Sequence, residues 1–140
     1  MTFDREPQTT TVPFFRRAKL WTPPAAMVAN ATGKWLRASG LFSAVVDAGS
    51  LTPRTYALEG AVAELYGDYR NPGTPAAVME LRFALEDVQR NEPRILFQKD
   101  YSLSRPIATE TPSALAAGWN QELGEILAAL QTDLRATVQP

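Results

Sequence analysis

The segment spanning residues 51–106 constrains the fold more than any other part of the chain. Three strand-like stretches follow one another there, separated by turns that break at proline and glycine. Residues 56–69 form a long first stretch with imperfect alternation: Leu58 and Val62 fall on one face, and Ala61, Ala63 and Leu65 on the other. Gly60 and Gly67 are the expected bend or bulge points. The turn Arg70-Asn71-Pro72-Gly73 ends the stretch. Residues 77–89 alternate cleanly, with Ala77, Met79, Leu81, Phe83 and Leu85 pointing one way and Glu80, Arg82 and Glu86 the other. That pattern buries one face of a sheet and leaves the other to water or a partner. After a turn at Asn91, Glu92 and Pro93, residues 94–103 place Ile95, Phe97, Tyr101 and Leu103 on one face. Lys99 interrupts that face, which predicts a bend or an exposed end at this point.

Helical patterns flank this run. Toward the N-terminus, Thr22 has the chemistry of an N-cap and Pro23 that of a first helical residue. Val28, Ala31 and Trp35 follow the rhythm of one helix face, Lys34 and Arg37 favour the C-terminal end of the helix dipole, and Gly40 supplies the stop. Gly33 costs about 1 kcal/mol against alanine inside a helix, which a close packing contact would explain. Residues 41–48 then read as a short buried strand around Phe42, Ala44, Val45 and Val46. Residues 1–12 read as a flexible or edge segment, and residues 9–16 carry strand propensity. If they pair, strand, helix and strand make a right-handed crossover with parallel strands. The last helix starts at Thr111 with Pro112 in the first helical position. Leu115, Trp119, Leu123, Ile126, Leu127, Leu130 and Leu134 form a wide apolar face, with Gln121, Glu122, Glu125 and Asp133 mainly outside it. A membrane-lying helix would flank that face with cations, and only Arg135 is available. The expectation is therefore an α+β domain over residues 13–138, a largely antiparallel sheet with two main helices packed on it.

The chemistry available to such a scaffold is narrow. The chain has no cysteine and no histidine, which removes disulfides, thiolate chemistry and the commonest neutral-pH base and metal ligand. No metal and no cofactor is expected. The net charge of −1 argues against nucleic acid as a partner, because phosphate binding needs clustered excess cations. No apolar run reaches the ~18 residues that span a bilayer. Neither phosphate-loop glycine pattern occurs, and no SxxK motif is present. Carboxylates remain: Glu59 and Glu64 on the first strand, and Glu80, Glu86 and Asp87 on the second. A buried pair could act as acid and base, whereas a solvated sheet face paired with Arg82 or Arg94 is the structural reading. The cluster Phe14, Phe15, Arg16, Arg17, Lys19 and Trp21 interleaves aromatics with cations, a composition that suits a protein interface or a strand end with wet cations.

Several blocks, in order, carry a family resemblance. Trp21-Thr22-Pro23-Pro24 leads into the first helix, which ends at Gly40 before Leu41-Phe42 and Val45-Val46. Leu58-Glu59-Gly60 and Leu65-Tyr66-Gly67-Asp68-Tyr69 follow. Next come Ala77-Val78-Met79-Glu80-Leu81-Arg82-Phe83 and Leu96-Phe97-Gln98-Lys99-Asp100-Tyr101. Ala114-Leu115 and Trp119-Asn120 open the last helix. Over residues 13–136 the chain resembles the auxiliary lipoprotein component of bacterial ABC-type transport systems, the group associated with MCE-type lipid transporters and paraquat-inducible operons. The resemblance implies a non-enzymatic, periplasm-facing domain, anchored to a membrane through an N-terminal lipid. The implied fold is similar to the N-terminal domain of the Tol-Pal propeller protein and to anticodon-binding domains. The implied partners are the permease, ATPase and MCE-type subunits of a transporter, with lipid itself and a second copy of the chain as further candidates. Family members begin with a signal peptide, a lipidated cysteine and a further strand, which are missing here. The competing expectation is a small pocket-forming lipid or ligand binder, or a carboxylate enzyme with Glu59, Glu64 or Glu80 buried as acid or base.

Overall fold

A computed structural model of the chain describes residues 2–3, 24–46, 55–71, 73–89 and 91–138. The elements run β1 (Thr2–Phe3), α1 (Pro24–Ser39), β2 (Tyr56–Asp68), β3 (Ala76–Asp87), β4 (Arg94–Pro106) and α2 (Pro112–Val138). The described strands form one sheet in the order β1-β2-β3-β4. β2, β3 and β4 pair antiparallel as two successive hairpins, and β1 adds to the outer side of β2 in parallel, Thr2 opposite Glu59. The architecture is the α+β one that the alternating segments predict.

The inner face of the sheet holds the core. Along β3 it is Ala77, Met79, Leu81, Phe83 and Leu85, each almost wholly buried. α2 lies across β3 and β4, and α1 covers β2 and touches α2. Val28 and Leu36 of α1, Leu58, Val62 and Leu65 of β2, and Leu115, Ile126, Leu127, Leu130 and Leu134 of α2 close on that row as one cluster. Each large side chain of this kind contributes about 1.5–3 kcal/mol by leaving water. One polar contact ties α1 to α2, and a second satisfies a buried hydroxyl within α1. Trp35 Nε1–H donates to Gln131 Oε1 of α2 at 2.7 Å, and Thr32, fully buried, returns its hydroxyl to the Val28 carbonyl at 2.7 Å.

Two bulges explain the irregular strand patterns. In β2 the register shifts between Val62 and Glu64, leaving Ala63 as the extra residue. Leu58, Gly60 and Val62 face the core before it, and Leu65 and Gly67 after it. One inserted residue exchanges the faces of everything beyond it. The bulge is therefore at Ala63, not at Gly60 or Gly67. Gly67 has another use: a Cβ there would sit 2.8 Å from the ring of Tyr69, which folds back over it. In β4 the shift falls at Leu96, so Ile95 pairs with Glu86 on the outer face and is 55 % exposed. It does not share the core face with Phe97, Tyr101 and Leu103. Lys99 causes no bend, for the register runs unbroken through Gln98, Lys99 and Asp100.

Residues 41–46 form no strand. Leu41 is buried, and Phe42 and Val45 lean on the core, while Ser43 and Ala44 are exposed. A short apolar run does not distinguish a strand from coil that packs on a core. Here Gly40 takes the left-handed conformation (φ 70°) and turns the chain out of α1, and Arg37 Nε–H donates to the Val45 carbonyl at 3.1 Å. The expected N-cap at Thr22 and Pro23 and the strand at residues 9–16 lie outside the described residues. Gly33 meets no other element, because a Cβ there would find only the Arg37 side chain at 3.5 Å.

α2 begins as its sequence predicts. Thr111 Oγ1 accepts from the Ala114 N–H at 3.2 Å, which caps the helix ahead of Pro112. The helix then approaches the sheet at Gly118, where a Cβ would meet Ala77 Cβ at 2.9 Å and Ile107 Cγ2 at 3.0 Å. The missing side chain sets the distance between α2 and β3, and so decides what is sealed one turn further on.

Candidate functional site

The interface candidates Phe14, Phe15, Arg16, Arg17, Lys19 and Trp21 lie outside the described residues. Glu59, Glu64, Glu80 and Glu86 lie on the outer face of the sheet, and Asp87 ends β3; none of the five is enclosed. Glu59 is exposed, and Glu64 and Glu80 are half-buried partners across the β2–β3 register. Glu86 and Asp87 are also half-buried, and Asp87 stands opposite Arg94. Arg82 Nε–H donates to Asp100 Oδ1 at 2.8 Å on the same face. Among the described residues, no group of three or more His, Cys, Asp or Glu side chains is placed to hold a metal ion.

The enclosed carboxylate is one the sequence pattern places elsewhere. Glu122 of α2 is fully buried, not outside the apolar face as expected. It follows Gly118 by one turn and precedes Ile126 by one, which puts it on the buried stripe. Its spacing from Leu115 and Ile126 was the available signal, and its charged identity masked it. Both carboxylate oxygens lie within the interior without a hydrogen-bond partner, and Nε of Arg105 on β4, shielded from solvent, also has none. The Arg105 guanidinium reaches outward instead, donating from Nη2 to Glu125 Oε1. Burial pushes the Glu122 carboxyl up to about 8; the nearby Arg105 cation opposes that and Glu125 adds to it.

Three turns further along α2, Asp133 is satisfied. The Tyr101 hydroxyl donates to Asp133 Oδ2 at 2.6 Å, and Lys99 Nζ donates to the same oxygen at 3.1 Å. Lys99 also stands 5.1 Å from the centre of the Tyr101 ring. The Tyr101 hydrogen bond, helped by Lys99, holds the Asp133 carboxyl below its ordinary value against partial burial. Burial and the same hydrogen bond push the Tyr101 phenol up. This cluster clamps the middle of β4 onto α2.

β4 itself is the most open element. It is the last strand of the sheet, and among the described residues no strand pairs with its outer side. Unpaired edges invite another chain, and proteins guard them with inward-pointing charges, bulges and prolines. Lys99 guards the middle of β4, and Pro106 stands at its end. The other end is different. Ile95 and Leu96 are 55 % and 36 % exposed, side by side at the bulge, and they are two of the three exposed large apolar side chains among the described residues.

No family model matches the chain, and no curated protein does. Solved structures do. A Xanthomonas campestris protein described by the DUF330 family model aligns with a TM-score of 0.65 at 24 % identity, over 79 % of this chain and 60 % of that one. The present chain thus spans about three-fifths of that relative's length. A hypothetical protein of Chlamydia trachomatis aligns with a TM-score of 0.60 at 13 % identity, over 93 % of this chain and 91 % of the other. An uncharacterized protein aligns at 0.53 and 21 % identity, over 79 % and 68 % of the two chains. At these identities the likeness establishes a shared fold. Among the described residues, no helix is long and apolar enough to cross a membrane.

Proposed function

We propose that the chain is a non-enzymatic auxiliary component, lipoprotein-type and periplasmic in its full-length form, of an ABC transporter for lipid or another hydrophobic solute. It acts by binding partner subunits of that transporter. The ordered sequence blocks motivate the transporter setting. The observation that carries the binding mode is the β4 edge, whose Ile95–Leu96 end is apolar and exposed while its middle is tied down through Lys99 and Asp133. An extended segment of a partner subunit would pair with this edge through its main chain and cover Ile95 and Leu96 with side chains. Apolar anchors at the centre of such a contact carry most of its energy.

The test is co-purification of the transporter subunits with tagged full-length protein from native membranes, with wild type beside Ile95→Arg/Leu96→Asp. We expect the double variant, folded by circular dichroism, to lose about tenfold or more of the co-purifying subunits. Unchanged recovery removes the β4 edge as the interface. Absence of permease, ATPase and MCE-type subunits from the wild-type sample removes the adaptor function itself.

A further inference from the structure

Arg105 stands between two carboxylates and is bonded to one of them. Its Nη2 reaches the half-exposed Glu125, while its Nε–H is shielded from solvent with no acceptor. Glu122 lies in the interior, fully buried, with two oxygens that accept nothing. The two cores of unused hydrogen-bonding capacity are complementary: a donor of fixed positive charge and an acid that becomes an acceptor pair when ionised. The electrostatic influence is mutual, since Arg105 lowers the Glu122 pKa and Glu122 raises that of Arg105.

The charged surroundings of Glu122 are few. β4 contributes Arg105, and α2 itself contributes Glu125. From β3 the inward residues are Ala77, Met79, Leu81, Phe83 and Leu85, and from β2 they are Leu58, Val62 and Leu65, none of which titrates. α1 meets α2 further along, at Trp35 and Gln131.

We propose that Arg105, Glu122 and Glu125 form a proton-driven exchange of ion-pair partners. With Glu122 neutral, Arg105 holds Glu125. When Glu122 ionises, an unpaired buried carboxylate becomes the costliest group in the interior, and Arg105 turns its guanidinium onto it. Glu125 is then released to water. The proton leaves Glu122 for solvent, and no other covalent bond changes. The outcome is a surface whose charge at the α2–β4 seam depends on pH. The raised Glu122 value of about 8 places the exchange in the neutral to mildly alkaline range.

The test is NMR on the intact chain, following the Arg105 Nε–H resonance and the Glu122 side-chain carboxyl carbon from pH 5 to pH 9. We expect both to move with one midpoint, raised well above the ordinary carboxylate range. Glu122→Gln should abolish the Arg105 step, and Glu125→Gln should leave it in place. An Arg105 signal that stays flat through the Glu122 midpoint overturns the proposal. So does a step that persists in Glu122→Gln, or a Glu122 carboxyl that titrates in the ordinary carboxylate range.

Discussion

Two carboxylates on α2 face the same strand and meet opposite fates. Asp133 is partly exposed and accepts from both Tyr101 and Lys99, and its pKa is lowered. Glu122 is sealed and accepts from nothing, and its pKa is raised. Both residues belong to one helix and both have a β4 cation nearby, Lys99 and Arg105 respectively. The difference is the distance between helix and sheet. At Gly118 the backbone of α2 is close enough that a Cβ would collide with Ala77 and Ile107, and the next turn carries Glu122 into that narrow gap. At Asp133 the opposing residue is Tyr101, whose ring spans the gap and presents a hydroxyl to the carboxylate. A nearby cation does not by itself settle a carboxylate; it has to be matched by hydrogen bonds to the oxygens.

Replacing Glu122 by leucine should give the largest effect on this contrast. The folded-state value, raised to about 8, means that the folded protein binds a proton the unfolded chain gives up near its ordinary 4.5. Wild-type stability is therefore full below that ordinary value, falls as pH rises toward the folded value, and levels off above it. Glu122→Leu should remove this fall and stabilise the protein by roughly 2–4 kcal/mol at the alkaline end, with a smaller gain in acid. Urea unfolding at several pH values measures both. A pH-independent difference between variant and wild type would show that desolvation of the charge is not the cost at this position. Gly118→Ala comes next. The added methyl must push α2 away from Ala77, for about 1–3 kcal/mol of destabilisation. It should also admit water to Glu122 and bring its midpoint down toward the ordinary range, measurable by the same carboxyl-carbon titration. A Glu122 midpoint unmoved in Gly118→Ala would separate the glycine from the sealing of the carboxylate.

This contrast also explains what the sequence could tell. Alternation along residues 77–89 identified the inner row of β3, because both neighbours of that strand are paired and its period is never interrupted. The Thr111-Pro112 start of α2 was readable from local cap chemistry alone. The bulge at Ala63 shows in the sequence only as broken alternation, beside the more conspicuous Gly60 and Gly67, and the bulge at Leu96 leaves the alternation of Ile95 with Phe97 unbroken and so leaves no mark. Neither bulge uses a glycine, so composition does not mark them, and alternation alone puts Ile95 on the wrong face. Glu122 escapes the helix pattern for a different reason. A helix face is read by presuming that charges point outward, and that presumption fails where a neighbouring glycine draws the helix against the sheet. The run at residues 41–46 had the right residues to be buried, but it packs on the core as coil and pairs with no strand edge. Edge availability is a property of the whole sheet, and no local pattern contains it.

Asp133→Asn probes the satisfied half of the comparison, with the smallest expected effect. Asparagine keeps an acceptor for the Tyr101 hydroxyl but loses the charge that strengthens both hydrogen bonds. The cost should be about 1 kcal/mol near neutral pH, because the site is partly exposed and the Lys99 pair is screened. The sign of its pH dependence is opposite to that of Glu122. A carboxyl whose folded pKa lies below the ordinary 3.8 adds stability above that value, and the contribution disappears as pH falls through the folded value. The difference between wild type and Asp133→Asn should thus be constant at neutral pH and vanish in strong acid. Thermal unfolding monitored by Tyr and Trp fluorescence across the acid limb reads this directly. A penalty that survives protonation would mean that the shape of the Tyr101–Asp133 contact, rather than its charge, clamps β4 to α2.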